Sequence, residues 1–121
     1  MIVRIKFVSV PTHDQDRALA FYTEKLGFRL ITDQPFGPGK RWIELGIGHS
    51  DTRFVLFTPP GDEDKVGGQF NGALACDDVE ATHRQLSDRG VAFDTPPTRQ
   101  HGIFAIMRDS EGNRFVLSSR A

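Results

Sequence analysis

A short pattern occurs twice in this chain of 121 residues, the copies about sixty residues apart, and that repeat restricts the fold more than any other feature. The strand-like run Ile5-Lys6-Phe7-Val8-Ser9-Val10 leads into Asp14 and a helix-patterned stretch that stops at Gly27-Phe28. Later, Gly72-Ala73-Leu74-Ala75-Cys76 leads into Asp77 and a second helical stretch that stops at Gly90-Val91. Asp14 to Gly27 and Asp77 to Gly90 cover the same distance. Each half ends on the same four residues, Arg53-Phe54-Val55-Leu56 and Arg114-Phe115-Val116-Leu117. Two copies are too few for a solenoid. They point to two like modules packed as one domain, with a site in the groove between them.

Residues 3–10 alternate and carry Val and Ile, which predicts a strand. Asp14 is placed to cap a helix whose Ala18, Leu19, Phe21, Tyr22 and Leu26 share a face, and Gly27 ends it. A strand over 28–32 follows, then a loop at Pro35-Phe36-Gly37-Pro38-Gly39. Residues 41–47 and 53–58 read as a hairpin turning through Gly48-His49-Ser50-Asp51. The polar stretch 59–68 is the linker. The order then repeats: strand 71–76, helix 78–89, strand 91–94, a Pro96-Pro97 loop, strand 102–108, a turn at Ser110-Glu111-Gly112-Asn113 and strand 114–119. The expectation is one α+β domain over 1–121, with module 1 at about 1–58 and module 2 at about 69–121, each β-α-β-β-β.

Net charge is -1 with the signs interspersed, so no nucleic-acid stripe or membrane-surface helix is present in the sequence. No apolar run approaches the ~20 residues of a membrane span, and the first residues lack a secretory signal's apolar core, which predicts a cytoplasmic protein. Cys76 is the single cysteine, so neither an internal disulfide nor a thiolate cluster can form. In an apolar strand it reads as a small core residue.

The element order, together with Ala18-Leu19-Ala20-Phe21-Tyr22 running to Leu26-Gly27-Phe28 and the turn Asp109-Ser110-Glu111-Gly112-Asn113, resembles the glyoxalase / bleomycin-resistance / extradiol-dioxygenase superfamily, the vicinal oxygen chelate fold. The resemblance covers nearly the whole chain. It implies paired modules forming a cupped mixed sheet around a cleft, often in a dimer. In enzymatic members His and Glu side chains hold a divalent metal there; other members have no metal and bind a drug. The family's four ligand positions fall here on Phe7, Val55, Asn71 and Val116. A divalent ion needs three or four O or N donors, and three of these four side chains are hydrocarbon. The expectation is therefore the fold without the metal: no cofactor and no metal site.

Strand alternation extends each cleft-facing position along its strand. Phe7 brings Ser9, Val55 brings Phe57, Asn71 brings Ala73, and Val116 brings Arg114. With Trp42 at the mouth and His101 at the rim, the expected lining is Phe7, Ser9, Trp42, Val55, Phe57, Asn71, Ala73, His101, Arg114 and Val116. An apolar lining with a few polar groups suits a small molecule. Glu44, in Trp42-Ile43-Glu44-Leu45, reads as a general base, as the solvent-facing half of an alternating strand, or as the partner of an Arg such as Arg41 or Arg108 across the sheet. His13, His49 and His83 read as exposed. The readings are a metal-independent small-molecule binder of the drug-sequestering kind, an enzyme of the same superfamily with altered residues (lyase, isomerase or dioxygenase-like), or an interaction module. The expected assembly is a homodimer.

Overall fold

The computed structural model describes residues 1–119, with the backbone alone for 69–71. The chain divides between Val66 and Gly67 into two units of the same design. The first contains β1 (Phe7–Val10), α1 (Gln15–Ala20) continued by a π-helical turn (Phe21–Lys25), β2 (Arg29–Pro35), β3 (Arg41–Gly46), β4 (Arg53–Leu56) and a 3-10 turn (Glu63–Lys65). The second contains β5 (Gln69–Ala75), α2 (Val79–Asp88), β6 (Phe93–Arg99), β7 (Ile103–Arg108) and β8 (Arg114–Ser119). Each unit forms a four-stranded mixed sheet, in the orders β1-β4-β3-β2 and β5-β8-β7-β6. The first strand runs parallel to the last, and the remaining pairs are antiparallel. The α+β class and the β-α-β-β-β order follow the expectation.

Alternation decides which side chains meet the helix. In the first unit Ile43, Leu45, Phe54 and Leu56 are buried together with Ala18, Phe21 and Tyr22 of the helix. The Tyr22 ring lies 4.9 Å from Phe54 and 5.6 Å from Phe28. In the second, Ala105, Met107, Phe115 and Leu117 are buried, as are Val79 and Leu86 of α2. The opposite face of each sheet carries the intervening residues, and in both units these include the expected site positions.

Several elements differ from their predicted form. β1 begins at Phe7 rather than residue 3, since only the Lys6 carbonyl, accepting from Arg53 N–H, extends the ladder upstream. Asp78, not Asp77, caps α2, accepting from Ala81 N–H as Asp14 accepts from Arg17 N–H in α1. Gly27 thus lies thirteen residues beyond its cap and Gly90 twelve beyond its own. The π-helical turn accounts for the difference, because it accommodates one residue more than the α-helical path. The predicted loop at Pro96-Pro97 is the middle of β6. That strand is at the sheet edge and its pairing with β7 shifts register between Thr95 and Thr98, where the missing proline N–H groups cost no ladder bond.

Two side-chain clamps fix the units internally. The Gln15 amide donates to the carbonyls of Arg41 (2.6 Å) and Leu56 (2.9 Å) and accepts from Arg41 N–H (3.1 Å), joining α1 to the ends of both β3 and β4. In the second unit Asp109 Oδ1 accepts from the N–H groups of Glu111 (2.9 Å) and Asn113 (2.8 Å), and Asn113 Nδ2 donates to Asp109 Oδ2 (2.9 Å). Asn113 Oδ1 accepts from Gly67 N–H (2.9 Å), and Gly112 supplies the positive φ that the turn requires. The Asp109–Asn113 motif therefore serves to close the turn and to anchor the start of its unit.

Asn113 is 1% exposed, so Asn113→Ala leaves the Asp109 carboxylate and Gly67 N–H short of buried partners. The expected loss is about 2–3 kcal/mol by urea denaturation with an unchanged m-value. A loss below about 0.5 kcal/mol contradicts the anchoring role given to the side chain.

Candidate functional site

The face of the first sheet away from the helix gathers four aromatic rings. Trp42, on β3, lies 5.3 Å from Phe7, 5.3 Å from Phe57 and 5.6 Å from Phe36, while Phe36 meets Phe57 edge-on at 5.2 Å. These are favourable separations for edge and tilted ring contacts. Phe57 is buried, whereas Phe7 is 40% and Phe36 54% exposed, so the cluster has a solvent-facing aromatic surface. The Trp42 indole N–H donates to Glu44 Oε2 at 3.1 Å. Lys40 Nζ lies 6.0 Å from the centre of the Phe57 ring.

Of the expected lining, this unit brings together Phe7, Trp42 and Phe57. Ser9 pairs with Val55 on the same face, but its hydroxyl donates to the Phe57 carbonyl at 2.7 Å. Val55 is on that face too, yet fully buried, so it backs the surface and does not present one. Phe36 escaped the sequence reading because it belongs to a loop; its signal is an aromatic residue between Pro35 and Gly37.

In the second unit Ala73 pairs with Val116, and Ile106 pairs with Val116 from the other side. The Asn71 side chain lies outside the described residues. His101 does not begin a strand. It occupies the turn before β7 with φ 52°, exposed, beyond the Ile103–Ser119 pair. Arg114 begins β8, so these two residues mark opposite ends of the sheet. Arg114 lies 3.8 Å from Asp94, whose other oxygen accepts from Arg108 Nε at 2.6 Å. Those contacts hold the Asp94 carboxyl below the usual range, the Arg108 hydrogen bond contributing most.

Glu44 has neither of its expected partners. Arg41 pairs instead with Asp33, through Nη2 at 2.8 Å and Nε at 3.0 Å, and with Asp16 through Nη1. Arg108 is held by Asp94. Burial pushes the Cys76 thiol above its ordinary pKa, and the Thr82 hydrogen bond only partly opposes it, so the group stays a neutral thiol at pH 7.

The site positions do not fit a divalent ion. Phe7, Val55 and Val116 offer only carbon, and among the described residues no three His, Cys, Asp or Glu side chains gather as a ligand set.

The model of the Glyoxalase/Bleomycin resistance protein/Dioxygenase superfamily matches residues 4–117, and the chain belongs to that superfamily. Among curated proteins it is 33% identical over 120 residues to the uncharacterised protein YetH of Bacillus subtilis, covering 97% of this chain and 98% of YetH. A crystal structure of a superfamily member from Sphaerobacter thermophilus aligns with a TM-score of 0.90 at 28% identity over 98% of each chain. The crystal structure of TnmS3, an antibiotic binding protein from Streptomyces sp. CB03234, aligns with a TM-score of 0.82 at 34% identity, covering 99% of this chain and 98% of that one. The vicinal oxygen chelate fold is thereby established. Among the described residues no helix is long and apolar enough to cross a membrane.

The Arg41 cluster gives a pH prediction. The hydrogen bond from Arg41, more than its charge, lowers the Asp33 carboxyl pKa, against a smaller opposing effect of burial. A carboxyl depressed on folding contributes stability above its unfolded pKa and loses it as pH falls through the folded value. Asp33→Asn is therefore expected to cost up to about 1 kcal/mol at pH 7, the gap from wild type closing as pH drops below the ordinary carboxylate range. Thermal melts that keep the same gap at pH 7 and about pH 2 contradict this linkage.

Proposed function

We propose that this protein is a metal-independent binder of planar aromatic small molecules, with Phe7, Phe36 and Trp42 as the surface that receives the guest and buried Phe57 backing it. The observation that carries the reading is the four-ring cluster itself: Phe7 and Phe36 stand open to solvent beside Trp42 and over buried Phe57, on a sheet face whose family ligand positions hold Phe and Val. A flat guest stacks on such rings without any charge or metal to hold it. The likeness to TnmS3, described as antibiotic binding, supports a sequestering role. The setting is the cytoplasm, in keeping with the single free thiol of Cys76.

The working state is a homodimer. β1 ends the first sheet, and Met1, Ile2, Val3 and Ile5 just upstream of it are exposed apolar side chains that a second copy would cover. Light scattering is expected to give twice 13.5 kDa at micromolar concentration; a steady mass of one chain there defeats the dimer.

Titrating the emission of Trp42, the only indole, against a panel of planar aromatic compounds tests the binding surface. Phe36→Ala and Phe7→Ala are expected to weaken a compound bound by wild type about three- to tenfold each, in line with the value of one aromatic contact. Both side chains are substantially exposed, so stability should hold to within about 1 kcal/mol. A compound bound equally by wild type and both variants places the site elsewhere.

A further inference from the structure

The end of the first sheet farthest from Gln15 opens into a cleft of about 730 Å³ whose lining includes Arg4, Lys6, Arg29 and Arg53 against the carboxylates of Glu44 and Asp51. None of these four cations has an ion pair among the described residues, whereas Arg41, Arg108 and Arg114 each have a carboxylate partner. Like charges gathered in a concavity repel one another and raise the local potential, which an entering anion relieves.

The internal repeat isolates the cause. Both sheets carry the same irregularity, with one extra residue between Leu30 and Thr32 in β2 and between Phe93 and Thr95 in β6. In the second unit the extra residue is Asp94, and it holds both Arg108 and Arg114. In the first it is Ile31, so the bulge gives Arg53, the counterpart of Arg114, no carboxylate. The counterpart of Arg108 is Gly46, and that glycine lets the Arg29 guanidinium lie against the sheet: a Cβ at Gly46 would come within 2.7 Å of Arg29 Nη2. Arg29 is held there by donating to the Gly48 carbonyl at 2.8 Å.

We propose that this cleft is a carboxylate-binding subsite, with Arg53 and Arg29 as its principal donors, taking the acidic group of an aromatic ligand whose rings rest on the adjoining cluster. The inference rests on the aromatic-binding reading and deepens it to the class of aromatic acids. The two surfaces are continuous: Phe7 is the cross-strand partner of Arg53, and Glu44 both lines the cleft and accepts from the Trp42 indole. Guanidinium forks suit the planar two-oxygen geometry of a carboxylate. The ligand's carboxylate occupies the position that Asp94 fills in the second unit.

Calorimetric titration with naphthalene-2-carboxylate and with uncharged 2-naphthalenemethanol tests it. Wild type is expected to bind the acid at least tenfold more tightly than the alcohol, with the preference shrinking at high salt. Arg53→Gln removes a donor, and Ile31→Asp installs the carboxylate that the second unit carries. Each is expected to erase the preference while leaving the alcohol's affinity within twofold, which also shows that the variant is folded. Ile31 is 42% exposed, so the acidic side chain can be accommodated there. Equal binding of acid and alcohol by wild type, or a preference that survives both variants, overturns the carboxylate subsite and leaves the aromatic surface standing. Binding of neither compound overturns both.

Discussion

One side-chain amide governs the geometry of the ring cluster. β3 and β4 are paired at Glu44–Val55 and Leu45–Phe54. Beyond that point Gln15 bridges the two backbones, bonding Arg41 on one and Leu56 on the other. Trp42 and Phe57 immediately follow these anchored residues, so their position is set from beneath by the helix. An amide is suited to this because it donates and accepts at once. The corresponding residue of the second unit, at the first position of α2, is Val79, a buried hydrocarbon with no such capacity. The units share a topology, but Val79 cannot make for the second the polar clamp that Gln15 makes for the first.

This asymmetry extends to the exposed sheet faces. Where the first unit has Trp42 and Glu44, the second has Phe104 and Ile106, judged by their pairing toward the last strand. Where Arg53 has no ion pair among the described residues of the first, the second neutralises Arg114 with Asp94. A duplicated framework thus carries one surface rich in aromatic and unpaired cationic groups and another whose arginines are satisfied internally.

The architecture was legible because periodicity and punctuation are local. Asp14, Gly27 and the Arg-Phe-Val-Leu endings lie where elements begin and end, and strand phase extended the cleft positions Phe7 and Val55 to Ser9 and Phe57. The misreadings arose where the deciding fact is non-local. A π-helical turn adds one residue without disturbing the apolar pattern of Phe21 and Tyr22, so Asp77 looked like the counterpart of Asp14. Pro96-Pro97 reads as a loop unless the strand is known to be an edge. Phe36 joins the cluster only through the return of its loop. The cationic cleft depends on cross-strand register and on a bulge residue, neither of which spacing along the chain reveals. Glu44 likewise found its partner two residues away on its own strand and not across the sheet.

The two prolines within β6 have a consequence for how the protein meets its neighbours. Sheets grow sideways when a strand at their border offers amide hydrogens to an incoming chain. Pro96 and Pro97 remove two consecutive amide hydrogens from the middle of that border, and the adjoining register shifts break its regular spacing. The second unit is thereby fenced along β6 against strand addition, the route by which β-rich proteins clump when crowded.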